Sequence, residues 1–298
     1  VPYLRITDKV YDAFIVIILL ALSFVTLYPF WNSLIISFNV GSDTALGGIT
    51  FWPRAFTLEN YEVVFKDDRL VQAFLISVLR TVAGTFLSIA FTAMFAYGLT
   101  KKYLMGRKFF MIMCIVTMFF SGGLIPTFIL IRGLNLIDTF WVLVVPGIIV
   151  VWNLIIFRTF FQELPDGLEE SAKIDGCNHM RTFFSIIVPI SGPVIATLSL
   201  FTAVGLWNDW FTASIYINNP QLMPIQTLLN QIINSNAMSE QLSSAGGEAS
   251  EFVRQLKGVS TKSLVMATMM VTTLPIIMVY PFLQRFFVKG VLIGSLKE

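Results

Sequence analysis

Residues able to carry chemistry are few. The chain has one histidine, His179, and two cysteines, Cys114 and Cys177. None stands at a metal-ligand spacing, and no acid, His or Cys cluster inside the apolar stretches could support hydrolysis or group transfer. No Gly-Lys dipeptide occurs, so the chain lacks a phosphate-cradling loop of its own. Four polar residues set in or against apolar sequence stand out: Arg80, Asn153, Asn208 and Asp209. Intramembrane charge is costly and often functional, so Arg80 either serves a pathway or helix pair, or extends to the outer surface. Asn153, Asn208 and Asp209 are candidates to line a solute path, with interhelical hydrogen bonding as the alternative for Asn153. Trp207 and Trp210 suit a sugar face or an interfacial belt, the belt being favoured. Gly122, Gly123 and Pro126 form a gate or a packing kink. His179 reads as a solvated surface residue, and the cysteines as reduced and apart.

The elements that must position these residues are membrane helices. Of 298 residues, 56% are hydrophobic and 13% charged, against about 25% charged in a soluble domain. A net charge of +2 does not suggest a nucleic-acid partner. Uncharged runs long enough to span a bilayer predict six helices at about 13–37, 73–100, 109–131, 139–161, 183–208 and 263–287, an all-α membrane protein. The first run is too long for a cleavable signal and lacks a small-residue cleavage site. Lys101, Lys102, Arg107 and Lys108 fill one short connection, whereas Arg132 is alone in the next. With Arg5 and Lys9 ahead of the first span and Arg285, Lys289 and Lys297 after the last, the positive-inside rule puts both termini in the cytoplasm. Connections 40–72 and 209–262 then lie outside. The second is rich in Asn, Gln, Ser and Gly over 231–247 and reads as a loop that is mobile or ordered by a partner.

One cytoplasmic stretch does not fit a simple bundle. Residues 158–181 hold eight charges: Arg158, Glu163, Asp166, Glu169, Glu170, Lys173, Asp175 and Arg181. Pro165, Asp166 and Glu169 resemble a capping box, so a helix should start there. Gly176 supplies the left-handed residue that ends it. A second helix follows with Met180, Phe183, Phe184 and Ile187 on one face. Pro189 and Pro193 predict a kink at the entry to the next span.

The segment Glu170-Ser171-Ala172, three residues, Gly176, nine residues, Ile186-Ile187-Val188-Pro189 resembles the EAA loop of ATP-binding-cassette (ABC) importer permeases. Ser171 and Val188 stand where that pattern has Ala and Leu. Gly122 to Pro126, Phe160 to Gly176, Trp207 to Phe211 and Phe287 to Gly290 are similar to the carbohydrate-uptake branch, in particular the maltose-permease-like subunits of oligosaccharide and polysaccharide-fragment importers. The resemblance implies a type I importer permease whose cytoplasmic coupling helices, 163–189, dock on an ATPase. Glu170, Ser171, Ala172, Asp175, Gly176, Met180 and Pro189 are then the coupling residues. Apolar contacts of Ala172, Ile174 and the Met180 face would supply most of the grip, because an exposed ion pair contributes only about 0–1 kcal/mol. It further implies a second permease subunit, two ATPase subunits carrying ATP and Mg, an extracytoplasmic solute-binding protein and an oligosaccharide cargo, with no cofactor on this chain. No sugar-specific motif is visible.

An ion-gradient-driven secondary transporter is the main alternative. It needs ionisable residues or broken helices near the midplane. Arg80 and Asp209 both lie towards the outer end, and no Asp or Glu interrupts any of the uncharged runs.

Overall fold

The computed structural model describes residues 6–244 and 261–295. Arg5, Lys297 and the part of the connection 209–262 at 245–260, on which several expectations fall, lie outside the described residues. Among those described, the chain is almost entirely helical, with one isolated β-bridge between Asn39 and Phe56.

The chain divides into two compact units. In the unit of Val1–Val71 and Leu229–Thr273, a long helix α1 (Ile6–Ser37) is followed by the short α2 (Gly41–Thr44) and α3 (Glu59–Lys66). From Tyr11 to Phe30, α1 is exposed almost throughout although nearly every residue is apolar, as expected of a helix solvated by lipid. At its end, buried Asn39 donates to Asp43 Oδ2 (2.9 Å) and Thr44 Oγ1 (3.0 Å), and buried Asn60 donates to the Ser37 and Asn39 carbonyls.

The second unit, Gln72–Leu228 with Leu274–Glu298, holds the functional candidates. Helix α4 (Asp68–Thr100) precedes α5 (Arg107–Phe119) and α6 (Leu124–Gly133). Two 3-10 turns, Phe140–Leu143 and Val145–Gly147, lead into α7 (Val151–Glu163). Then come α8 (Asp166–Ile174), α9 (His179–Thr182), a π turn at Phe183–Ile187 and α10 (Val188–Ile190). The chain continues through α11 (Gly192–Asn208), α12 (Phe211–Tyr216), α13 (Ile225–Ser244) and α14 (Thr261–Ser295).

Among the described residues, three unbroken helical stretches are long and apolar enough to cross a membrane: Tyr11–Ser37, Asp68–Thr100 and Lys262–Val279. The other three uncharged runs are bent pairs: α5 with α6 at 117°, the 3-10 pair with α7 at 47°, and the α9–α10 stretch with α11 at 84°. Up to six spans result if each pair counts as one. The breaks expected from Gly122, Gly123 and Pro126 and from Pro189 and Pro193 are present, and the run 139–161, expected to be continuous, is broken as well. The cause of each break is local. Gly123 takes φ +84° ahead of α6, Pro146 and Gly147 stop the second run, and Pro193 cannot donate to the Pro189 carbonyl. A count of uncharged residues records apolarity and is blind to these breaks.

Broken backbone at membrane depth needs partners inside the protein, and a polar stripe on α4 supplies them. Arg80 Nε donates to the Leu143 carbonyl (3.2 Å). Thr92 Oγ1 donates to the Ile148 carbonyl (3.4 Å) and accepts the Val150 N–H (3.3 Å). Between Arg80 and Thr92 on α4, Gly84 permits close approach to α11, since a Cβ there would lie 2.7 Å from Leu206 Cδ1.

The connection 209–262 also differs from the loop expected of it. Residues 225–244 are helical in α13, because Ile225, Leu228, Leu229, Ile232 and Ile233 repeat at helical spacing beneath a polar composition.

Candidate functional site

The charge-rich stretch folds as helix, turn, helix. Pro165 is the N-cap of α8, at φ −58° and ψ 129°, and has no side-chain acceptor. The capping box is therefore absent, and Asp166 and Glu169 act in the first turn as charges at the positive helix end. At the other end Gly176 sits at φ +76°. Its N–H bonds to the Lys173 carbonyl (3.0 Å) and that of Cys177 to the Ala172 carbonyl (2.9 Å), the paired bonds of a Schellman turn. Asn178 then caps α9, its Oδ1 accepting the Arg181 N–H at 2.8 Å.

Each side of this hairpin has a distinct environment. Ala172, Thr182, Phe183 and Ile187 are buried, Ala172 at 2% exposure. Glu170, Ser171, Ile174, Asp175, Gly176, Met180, Phe184 and Pro189 are exposed. The apolar docking contact expected of Ala172 is thus corrected, because its methyl group is used in packing within the chain. The single face expected for Met180, Phe183, Phe184 and Ile187 is split. Phe183 and Ile187 enter the core with Tyr97, Phe157 and Phe161, while Met180 and Phe184 remain outside. Pro189 lies just ahead of the 84° bend, where Ser191 Oγ donates to the Ile187 carbonyl at 2.6 Å.

Sequence reasoning missed the attachment of α8 to α4. Lys101 Nζ pairs with Glu169 Oε1 and lies 3.6 Å from the centre of the Tyr97 ring. Its side chain is 10% exposed. Burial pushes the Lys101 ammonium below its ordinary pKa, and the Glu169 carboxylate opposes that shift. The neighbouring Lys102–Asp166 pair is longer, 3.6 Å, with both side chains 85% exposed. Tyr103 Oη lies 3.1 Å from His179 Nε2, so the histidine has a partner beyond solvent. A cavity of about 370 Å³ lies among Lys101, Arg107, Phe161, Glu169, Glu170 and Lys173. Sequence displays only the sign of the basic connection, and a contact across 68 residues leaves no periodic signal.

The intramembrane polar residues are largely satisfied by one another. Arg80, at 1% exposure, does not extend to a surface. Its Nη2 pairs with Asp209 Oδ2 and its Nη1 donates to the Asp209 carbonyl (2.7 Å). Asp209 Oδ1 accepts the Thr212 N–H (3.1 Å). Asn153 is buried and donates to Thr202 Oγ1 at 3.0 Å, joining α7 to α11. These contacts match the helix-pairing alternatives named for Arg80 and Asn153, tie Asp209 to Arg80, and leave Asn208 as the exposed member of the four. Trp207 is buried edge-on against Phe74 at 5.7 Å, in neither a belt nor a sugar face, while Trp210 is exposed. Asp138, unremarked in the sequence, takes φ +61° and its Oδ1 accepts the N–H groups of Asn218 and Asn219, both at 2.7 Å. Cys114 and Cys177 are free thiols.

The chain as a whole has relatives among known proteins. The polygalacturonan/rhamnogalacturonan transport system permease protein YtcP of Bacillus subtilis (strain 168) is 40% identical over 291 residues, covering 97% of this chain and 99% of that protein. Protein LplC of the same organism is 39% identical over 289 residues, covering 97% and 95%. In structure the chain matches a bacterial ABC transporter involved in the import of the acidic polysaccharide alginate, with a TM-score of 0.83 and 26% identity, over 96% of this chain and 100% of that one. Residues 3–293 match a family model, and the chain belongs to the family it describes, the binding-protein-dependent transport system inner membrane components.

Proposed function

We propose that this permease imports an oligosaccharide derived from an acidic polysaccharide, as one of two different permease subunits served by two ATPase subunits and an external binding protein. The observation that carries the reading is the α8–α10 hairpin, which offers Glu170, Ile174, Met180 and Phe184 to a partner while its other side is fixed to the spans. ATP and Mg belong to the ATPase. Its closure moves the hairpin, and the bent stretches on either side, α7 and α10–α11, carry the motion into the membrane. Reversing a conformational ratio from 1:99 to 99:1 takes about 5.5 kcal/mol of differential binding, so the whole exposed side must stay engaged. Both termini face the cytoplasm, where the basic connection 101–108 also lies. The cargo class rests on relatives named for polygalacturonan/rhamnogalacturonan and alginate transport.

The test is uptake of labelled oligogalacturonides by cells with and without the chain. Loss of uptake on deletion, with recovery on re-expression, is the expected result. Undiminished uptake in the deletion strain overturns the cargo assignment.

A further inference from the structure

We infer that Lys101 and Glu169 form a charge lock, seated on Tyr97, that makes α8 and the C-terminal end of α4 move as one body. The inference rests on the coupling role proposed above for the hairpin, and it adds a second route for the motion, through α4.

Lys101 follows directly on α4 and is tied to its last turn, its N–H bonding to the Gly98 carbonyl at 3.2 Å. Its ammonium is held between a ring and a carboxylate, 3.6 Å from the Tyr97 centroid and paired with Glu169. A cation over an aromatic face gains more as it is desolvated, and the Lys101 side chain is only 10% exposed. Tyr97 is itself wedged between Phe161 of α7 (6.3 Å) and Phe183 of the π turn (5.2 Å). The lock therefore stands where α4, α7 and the hairpin meet. The adjacent acids on α8 divide the work. Glu169 turns to Lys101, and Glu170 is exposed. Lys102–Asp166 is no substitute, since water screens a pair exposed on both sides.

What α4 would deliver is visible along its length. The same helix holds the broken backbone of 143–150 through Arg80 and Thr92, and holds Asp209 at the end of α11 through Arg80. A displacement entering at Lys101 reaches the interrupted segment and the far end of α11 without passing through the bend at Ser191.

The test uses the complete transporter in proteoliposomes, measuring sugar moved per ATP hydrolysed and the amount of ATPase that co-purifies. Lys101→Met and Glu169→Gln should each retain the ATPase, because Glu170 and Met180 are untouched. Each should lower sugar moved per ATP about fivefold, the factor that about 1 kcal/mol of lost coupling represents. The reversed pair, Lys101→Glu with Glu169→Lys, should regain at least half of the parental ratio. Parental ratios in both single variants, or a reversed pair no better than either, overturn the lock. Should Lys101→Met accumulate poorly, Glu169→Gln alone decides, because it alters a partly exposed side chain and keeps its shape. Failure of the underlying coupling role reads differently, as normal transport by Glu170→Lys.

Discussion

Arg80 holds a full charge at 1% exposure and makes three contacts with main-chain and side-chain oxygens. Removing Arg80 leaves the Asp209 carboxylate uncompensated at 28% exposure, a cost below the about 3–5 kcal/mol of a fully buried charge, whereas replacing both with apolar or neutral groups is often tolerated. Arg80→Ala should therefore lower the melting temperature of the detergent-solubilised complex. Arg80→Met combined with Asp209→Asn should recover most of it. Equal melting of the single variant and the parent would show that the pair does not hold α4 to the end of α11. At this scale the sequence was legible in kind and not in pairing. Arg80, Asn153 and Asp209 are conspicuous because they interrupt or border apolar runs, yet their partners are 63 and 129 residues away for Arg80 and 49 for Asn153. Lys101 and Glu169 were hidden for the opposite reason, being charges among charges, where one pair cannot be told from another without coordinates.

Among the elements, the hairpin was the most legible, because its signals are local. Gly176 had to adopt positive φ to close α8, and it does, at +76°. Nothing lies within 4 Å of a Cβ built there, so Gly176→Val would meet no clash and carry only the left-handed backbone penalty, about 1–2 kcal/mol. That penalty falls on the turn between α8 and α9. The variant should insert normally, co-purify with less ATPase and transport less sugar. Glu170→Lys should do the same by reversing the charge at an exposed position of α8, with no loss of permease accumulation. Uptake at the parental rate in membranes holding normal amounts of either protein would remove the hairpin from the coupling path. The capping box failed because Pro165 took the N-cap position and displaced Asp166 by one residue. The broken spans were half legible. Gly122, Gly123, Pro126, Pro189 and Pro193 announced two breaks, while Pro146-Gly147 is masked by a run whose apolarity looks sufficient. Polar composition likewise conceals α13, whose apolar residues repeat at helical spacing only when counted position by position.

For the whole molecule, composition set the class, and the burial pattern sets what the chain must associate with. Apolar residues of α1 from Tyr11 to Phe30 are exposed, as are Phe109, Ile112, Val116 and Phe119 on α5 and Ile125, Ile129 and Leu130 on α6. Lipid can cover such surface. Lipid cannot supply the opposite wall of a sugar path, because polar groups facing hydrocarbon go unsatisfied. Within this chain Arg80 and Asp209 bond each other and Asn153 bonds Thr202, while Thr81, Thr85 and Ser88 of α4 carry buried hydroxyls without a hydrogen-bond partner. In the proposed assembly a second permease brings the other wall. The chain has no Gly-Lys dipeptide, and in the proposed assembly energy enters through the hairpin from an ATPase. Purified from its native membrane by a tag on this chain, the active complex should contain one copy of it, one different permease and two ATPase chains, counted by native mass spectrometry. Proteoliposomes holding only this permease with the ATPase should hydrolyse ATP without moving sugar. Sustained uptake by that reduced assembly would mean that two copies of this chain form the path alone, and that the missing polar wall is built from its own residues.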